Sequence, residues 1–306
     1  MKNDSPLVKF ISGVVIILAF CFIARYLYLN WNEVKNFNWH INYSFLCLSM
    51  IFLCVPFIMM AFGWYFILIM LKCRVNAWDC VRIYVLSQLA RYIPGKIFMF
   101  IGRVIMAEKM GVKKTVSSIS VFVEAILSTS GAFFAILILY MFSSKIRIEW
   151  INPFYTAFII IIGLAALNPK LIKYVLIFLL KNKEILDFDW LDFKYYKILL
   201  MSTFYTIQWI LVGISFYFFV SAILGQMISP KYFFDTACLF LISWLIGFLS
   251  FITPGGIGVR EAILTAGLQS LVPVYLAGVI AISSRIWFTV GELLGVIIVS
   301  TFKIRR

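Results

Sequence analysis

The sequence predicts an all-α integral membrane protein, and three observations support this fold class. Apolar residues make up 63% of the 306 residues, whereas charged residues make up only 13%. The mean hydropathy is +1.01, and a soluble domain of this length needs more polar residues to cover its surface. Several stretches with few or no charges reach the roughly 20 residues that a helix needs to cross a bilayer. We therefore expect a single transmembrane domain over residues 1–306.

Seven stretches are long and apolar enough for full crossings. They are Val8–Tyr28, Phe45–Leu71, Thr115–Phe142, Trp150–Leu167, Ile198–Leu224, Tyr232–Thr253 and Val274–Phe302. The first stretch follows Lys2 and resembles a signal peptide in this respect. It continues into Arg25 with no small-residue cleavage site, so we interpret it as a retained span.

Two further segments are apolar but interrupted by proline and glycine. The first covers residues 78–110 and is broken at Pro94, and the second covers residues 253–271 and is broken at Pro254. Proline and clustered glycine end helices and free backbone groups, which in hydrocarbon must find partners in protein or in a wet cavity. We expect two re-entrant or half-membrane segments packed inside the bundle. The alternative is a pair of cytoplasmic loops that contain amphipathic helices.

The two interrupted segments resemble each other, which indicates a weak internal repeat. In each, a Pro-Gly pair is followed by an apolar patch with one arginine, Arg103 or Arg260. The long span that follows carries a charged residue at a similar distance from the proline, Glu124 in one half and Arg285 in the other. Interrupted hydrophobic segments at corresponding positions of two halves are typical of a transporter's binding site.

Basic residues predict that both termini are cytoplasmic. Lysine and arginine are concentrated at the two ends of the chain, between the second and third spans, and after Asn168. Seven spans would leave the termini on opposite sides, so we expect Pro254–Leu271 to add a crossing, which gives about seven to eight in all. We expect residues 170–180 to lie along the membrane surface as an amphipathic helix.

Ionisable residues inside the spans are candidate functional residues, because charge at membrane depth is costly. The clearest are Glu124, Arg285 and Glu292, and the last two share a helix face because they are seven residues apart. Glu124 and Arg285 have opposite charge at corresponding places of the two halves. We hypothesise that they form an ion pair, either as a structural tie or as a link that opens during transport.

Cations beside the Pro-Gly turns are candidate partners for a lipid phosphate. These cations are Lys96, Arg103 and Arg260. A half-helix that starts after Pro-Gly offers free N–H groups and a partial positive charge, and a nearby arginine adds a bidentate partner. The glycines that would serve this site are Gly255, Gly256 and Gly258. The alternative is that the cations only set the topology or extend toward the membrane surface.

Metal, cofactor and nucleophilic chemistry are not expected. The chain has a single histidine, His40, and six cysteines without a C-x-x-C pair. No phosphate-binding G-x-x-x-x-G-K-[ST] motif occurs, so transport would be facilitated or ion-coupled, with Glu124 or Glu292 as a proton carrier. The net charge of +14 is explained by topology and favours anionic lipid over nucleic acid as a partner.

The motifs around Pro94 and Pro254, together with Glu124, resemble a known family. The Tyr-Ile-Pro-Gly-Lys and Pro-Gly-Gly-Ile-Gly-Val-Arg-Glu runs are similar to those of the flippase-like transmembrane region of lysylphosphatidylglycerol synthases, the multiple peptide resistance factors, in a stand-alone form. Family members often have arginine where this chain has Ala125. The resemblance extends over nearly the whole chain, and it implies lipid translocation between leaflets of a bacterial inner membrane. Synthase activity is not expected, because no lysyl-transferring domain follows in this sequence.

The expected function is a lipid flippase-like transporter for an anionic phospholipid or a polyprenyl-phosphate-linked lipid, and not an enzyme. For the oligomeric state and partners, the sequence allows both a homo-oligomer and a complex with a partner synthase. One alternative is a membrane enzyme for lipid-linked substrates, with Glu261 and Asp235 as its candidate acids. Another is a non-transporting partner protein in lipid or surface-glycan synthesis.

Overall fold

The computed structural model describes residues 28, 35, 40–88, 98–146, 153–180, 194–250 and 256–301, and these ranges contain helices but no strand. Numbered in chain order within these ranges, the α-helices are α1 (Tyr43–Met70), α2 (Ala77–Gln88), α3 (Phe98–Glu108), α4 (Lys114–Met141), α5 (Pro153–Ala166), α6 (Pro169–Leu180), α7 (Tyr195–Ile223), α8 (Phe233–Leu249), α9 (Val259–Leu268) and α10 (Val274–Thr301). A 3-10 turn, Pro230–Tyr232, leads directly into α8.

Five helical segments within the described ranges are long and apolar enough to cross a membrane. They are α1, α4, α7, Pro230–Leu249 and Val274–Ile297, and the bent pair α5 and α6 would make a sixth. The predicted multi-pass helical class is therefore confirmed, and the bounds of these five spans agree with the sequence within a few residues. The described part of the predicted crossing Trp150–Leu167 is α5, whose 14 residues reach the length of a span only together with α6. The total of about seven to eight crossings stays a prediction. The predicted span Val8–Tyr28 lies outside the described residues except at Tyr28.

The chain bends by 67° between Phe154–Ala166 and Pro169–Phe178. The Asn168 side chain accepts a hydrogen bond from the Lys170 N–H, and proline occupies the first position of the new helix. Asparagine before a helix and proline at its first turn are both favoured at a helix start, so the sequence restarts the helix in a new direction. A helix is observed over the predicted residues 170–180 as α6, and its position along the membrane surface stays a prediction.

The chain divides into two compact units that interleave along the sequence. Unit 1 comprises Met1–Leu53, Phe142–Arg147 and Ile210–Gly291. Unit 2 comprises Cys54–Met141, Ile148–Trp209 and Glu292–Arg306. The first interrupted segment therefore belongs to unit 2 and the second to unit 1.

In unit 2, the start of α2 and the end of α3 both lie where the C-terminal end of α1 meets the N-terminal end of α4. Near the end of α1, Trp64 Nε1 donates to Ser120 Oγ near the start of α4, at 3.0 Å, so these two helix ends meet. Residues 71–76 join α1 to α2, and residues 109–113 join α3 to α4. The chain thus leaves this end along α2 and returns to it along α3. Residues 89–97, which contain the predicted break, lie outside the described residues.

In unit 1, the short helix α9 packs antiparallel against α8. Gly247 of α8 lies beside Arg260 of α9, and further along the pair Leu239 lies beside Gly267. The α9 helix has only 10 residues, so its length is about half of the 30 Å hydrocarbon core. Glycine at both contacts lets the two helices approach closely.

Candidate functional site

A buried ion pair joins α3 to α4 in unit 2. Arg103 Nη1 donates to Glu124 Oε2 at 2.9 Å, and the two residues are 1% and 4% exposed. The short turn between the two helices lets them pack side by side, which brings the two side chains together. Each charge needs the other, because an unpaired charge at this depth would be strongly destabilising.

Aromatic and hydroxyl groups complete the surroundings of this ion pair. Tyr84 OH donates to Glu124 Oε1 at 3.1 Å, and Arg103 Nε donates to Ser87 Oγ at 3.1 Å. The guanidinium carbon lies 4.0 Å from the centre of the Tyr84 ring and 5.5 Å from that of Trp64. The arginine is therefore held by a carboxylate, a hydroxyl and two aromatic faces. These five residues are called the first charge cluster.

A second buried carboxylate lies at the start of α9 in unit 1. Glu261 Oε2 accepts the Gly258 N–H at 2.6 Å, and Glu261 Oε1 accepts Arg285 Nε from α10. Acidic side chains stabilise helix N-termini, where backbone N–H groups have no partner within the helix. The Glu261 side chain is 7% exposed and that of Arg285 is 34% exposed. The same carboxylate thus caps the N-terminus of α9 and binds an arginine of α10.

Arg260, which precedes Glu261 in α9, lies beside two aromatic rings. Its guanidinium carbon is 4.7 Å from the centre of the Phe240 ring and 5.1 Å from that of Phe288. The negative faces of the rings stabilise the cation in a largely buried position. Gly258, Arg260, Glu261 and Arg285 are called the second charge cluster.

The glycines of the second interrupted segment set the turn before α9. Gly256 has φ 70° and Gly258 has φ 84°, a backbone conformation that only glycine adopts at little cost. A Cβ on Gly256 would also lie 2.5 Å from the carbonyl oxygen of Gly247. The glycines therefore allow α9 to start in close contact with α8. Gly255, predicted for the same turn, lies outside the described residues.

The predicted pairing of Glu124 with Arg285 is replaced by two other pairs. Glu124 binds Arg103, and Arg285 binds Glu261. In both cases the short helix that directly precedes the long helix in sequence supplies the opposite charge. Glu292 is buried on α10, two turns after Arg285.

Lys96 lies outside the described residues. Trp64, Tyr84 and Ser87 are members of the first charge cluster that sequence reasoning missed. Tyr84 and Ser87 lie on α2, within the first interrupted segment, and in the sequence only their helical spacing marks a common face.

Asp235, a candidate acid of the alternative enzyme hypothesis, holds the loop that follows α4. Its fully buried carboxylate accepts Ser143 Oγ and the Lys145 N–H at 2.6 Å, and the Ile146 N–H at 3.1 Å. The N–H and hydroxyl of Ser144 complete the set at 3.1–3.3 Å. A carboxylate with this many donors serves as an anchor for the loop.

The described part of the chain contains no group of three His, Cys, Asp or Glu side chains placed to hold a metal ion. Burial raises the pKa of the Cys73 thiol, in the turn before α2, so this cysteine remains protonated at neutral pH.

The fold and the two charge clusters define a class of protein, the multi-pass helical membrane proteins with buried arginines beside interrupted segments. Residues 10–291 match the family described as the lysylphosphatidylglycerol synthase TM region. The chain belongs to this family, because the match covers most of its length, and the resemblance seen in the sequence is confirmed. Comparison with curated proteins gives no match.

Proposed function

We propose that the protein moves an anionic lipid, either a phospholipid or a polyprenyl-phosphate-linked lipid, between the leaflets of a bacterial inner membrane. Membership of the family supports a lipid-related role. The observation that carries the proposal is the buried pair of Arg103 and Glu124, placed where two short helices meet a long one. Ionisable side chains at membrane depth are typical of substrate pathways.

We propose that α2 and α3 form a half-membrane hairpin, and that α9 is a half-length helix at membrane depth. With 12, 11 and 10 residues, these helices span roughly 15–18 Å each, about half of a hydrocarbon core. The shared anchoring of α2 and α3 at one end of unit 2 supports the hairpin. Interrupted helices of this kind give a lipid headgroup polar contacts at a depth where continuous spans offer only apolar surface.

In this proposal, the Glu124 and Glu261 carboxylates pair with the arginines until a lipid phosphate replaces them. A phosphate group offers a guanidinium the same bidentate geometry as a carboxylate, so it competes with Glu124 for Arg103. At the second charge cluster, phosphate competes with Glu261 for Arg285 in the same way. The glutamates neutralise the buried cations between turnovers, which lets the headgroup leave again.

A leaflet-accessibility assay tests the proposal directly. The full chain is reconstituted in liposomes with phosphatidylglycerol labelled on its acyl chain, and an impermeant quencher reports the label that reaches the outer leaflet. We expect wild-type protein to deplete the inner-leaflet label faster than protein-free liposomes do. Arg103→Ala and Arg260→Ala are expected to slow the exchange about tenfold or more, because each removes a charge-assisted contact.

The matched control is Lys113→Ala, which removes an exposed cation from the turn between α3 and α4. This variant is expected to move lipid at the wild-type rate. A labelled polyprenyl phosphate in a parallel experiment distinguishes the two lipid classes. The proposal is rejected if no anionic label moves faster with protein than without it.

A further inference from the structure

Tyr205 on α7 places a hydroxyl group in the core of unit 2 without giving it a hydrogen bond. The residue is fully buried, and its hydroxyl has no hydrogen-bond partner among the described residues. A buried hydroxyl without a partner is destabilising, and phenylalanine would fill the same volume without that cost. The hydroxyl therefore calls for a functional explanation.

Two glycines hold the Tyr205 side chain in one position. A Cβ at Gly63 of α1 would overlap the hydroxyl oxygen, and a Cβ at Gly131 of α4 would lie 2.6 Å from the Tyr205 Cβ. The tyrosine thus packs directly against the backbones of two helices, and its ring has little freedom to swing away. The direction of the hydroxyl is set by packing.

Tyr205 packs in the same hydrophobic core as Tyr84 and Trp64 of the first charge cluster, and its hydroxyl lies against Gly63, the residue before Trp64. Glu124 accepts one hydrogen bond on each oxygen from described residues, from Tyr84 and from Arg103. A carboxylate has about four acceptor sites, so Glu124 has spare acceptor capacity, while the Tyr205 hydroxyl in the same core is a donor that is not in use.

We infer that Tyr205 is a positioning residue whose hydroxyl is the reserve hydrogen-bond donor of Glu124. It acts when Arg103 leaves Glu124 for a lipid phosphate, and in this respect the inference rests on the proposed function. A buried glutamate that loses its arginine becomes an uncompensated charge, which strongly destabilises the folded protein. A hydrogen bond from Tyr205, in addition to the one from Tyr84, lowers that cost. It also keeps the Glu124 carboxylate ionised and in place until Arg103 binds it again.

A double-mutant cycle in purified full-length protein tests the inference without any transport measurement. Arg103→Gln imitates the state in which Glu124 has lost its arginine. Tyr205→Phe alone is expected to leave the thermal midpoint in detergent unchanged or slightly raised. In the Arg103→Gln background it is expected to lower the midpoint by about 3 °C, because the reserve hydrogen bond is then in use. If Arg103→Gln does not fold, Arg103→Lys replaces it, since lysine lacks the planar fork of donors.

Ser202→Ala is the matched control, because Ser202 lies on the same helix and its buried hydroxyl also has no hydrogen-bond partner in the described ranges. Its effect is expected to add to that of Arg103→Gln without coupling. Additive midpoints for Tyr205→Phe, or equal coupling for Ser202→Ala, would overturn the inference.

Transport supplies an independent readout of the same residue. Tyr205→Phe is expected to slow lipid exchange about tenfold while the protein remains folded, because it removes a hydrogen bond to a charged group. A wild-type rate in this variant overturns the inference. If wild-type protein moves no lipid, the proposed function fails, and the stability cycle still decides whether Tyr205 serves Glu124.

Discussion

Arg103 and Glu124 form a buried ion pair between a short helix and the long helix that follows it, with Nη1 and Oε2 2.9 Å apart. In unit 1 the same order of helices carries the charges the other way round. There the short helix supplies the acid Glu261, and the long helix supplies the base Arg285. In each unit a short helix therefore supplies the opposite charge for an ionisable residue on the following long helix, and the two pairs can be perturbed separately.

Removal of one member of the first pair should destabilise the protein far more than removal of both. Arg103→Ala or Glu124→Ala leaves an uncompensated buried charge, which costs about 3–5 kcal/mol. Arg103→Met combined with Glu124→Leu removes both charges and keeps much of the volume, so most of the stability should return. Unfolding in detergent at increasing denaturant concentration measures the difference.

The double variant should nevertheless move anionic lipid about tenfold or more slowly than the wild type, because the Arg103 cation is gone. Lys113→Ala serves again as the control and should unfold like the wild type. If both single variants unfold at the wild-type midpoint, the ion pair does not stabilise unit 2, and this interpretation of the buried charges is wrong.

At the second pair, the size of the replacement side chain should matter more than its charge. Glu261→Gln retains an acceptor for the Gly258 N–H, and the lost attraction is modest because the Arg285 side chain is 34% exposed. We expect a loss of about 1 kcal/mol or less. Glu261→Ala also removes the cap of α9 and should cost about 1–2 kcal/mol more. Equal midpoints for the two variants would show that the cap contributes nothing.

The spans of the protein are predictable from the sequence because they depend only on the chain's own composition. Phe45–Leu71 was predicted as a span, and α1 covers Tyr43–Met70. The turn before α9 is predictable for the same reason, since Gly256 and Gly258 have positive φ values that few other residues tolerate. These features are local.

The partners of the buried charges depend on which helices pack together, and helical periodicity gives only the face of a helix. The pairing of Glu124 with Arg285 followed from their similar places in a weak repeat. The sequence marks Arg103 as a candidate partner of a lipid phosphate but does not reveal that Glu124 binds it when no lipid is present. The short helices α3 and α9 each bring an opposite charge close to the long helix that follows. The sequence alone does not reveal this packing.

Asp235 should control the order of the loop after α4. In Asp235→Ala, the part-buried N–H groups of Ser144 and Lys145 lose their carboxylate acceptor and the Ile146 N–H keeps only Ser143 Oγ, which should cost about 2–4 kcal/mol in total. Ser143→Ala removes one hydroxyl donor and one of the two acceptors of the Ile146 N–H, but the carboxylate remains, so it should cost about 1 kcal/mol. Hydrogen exchange at residues 143–146 should accelerate strongly in the first variant and weakly in the second. Similar protection in both would contradict the role of the carboxylate as the anchor.

Gly63 and Gly102 should respond in opposite directions to the same substitution. Both lie within helices, but a Cβ at Gly63 would overlap the Tyr205 hydroxyl, whereas a Cβ at Gly102 would meet no atom of the described residues within 4 Å. Gly63→Ala should therefore cost about 1–3 kcal/mol through overpacking. Gly102→Ala should gain up to about 1 kcal/mol, because alanine loses less conformational entropy in a helix.

Thermal unfolding of the purified variants measures both effects of these glycine substitutions. A second substitution identifies the residue responsible for the loss at Gly63. Tyr205→Leu removes the ring that a Cβ at position 63 would overlap, so Gly63→Ala should be less harmful in that background than in the wild type. If Gly63→Ala costs the same in both backgrounds, the close approach of α1 to Tyr205 is not what requires glycine at this position.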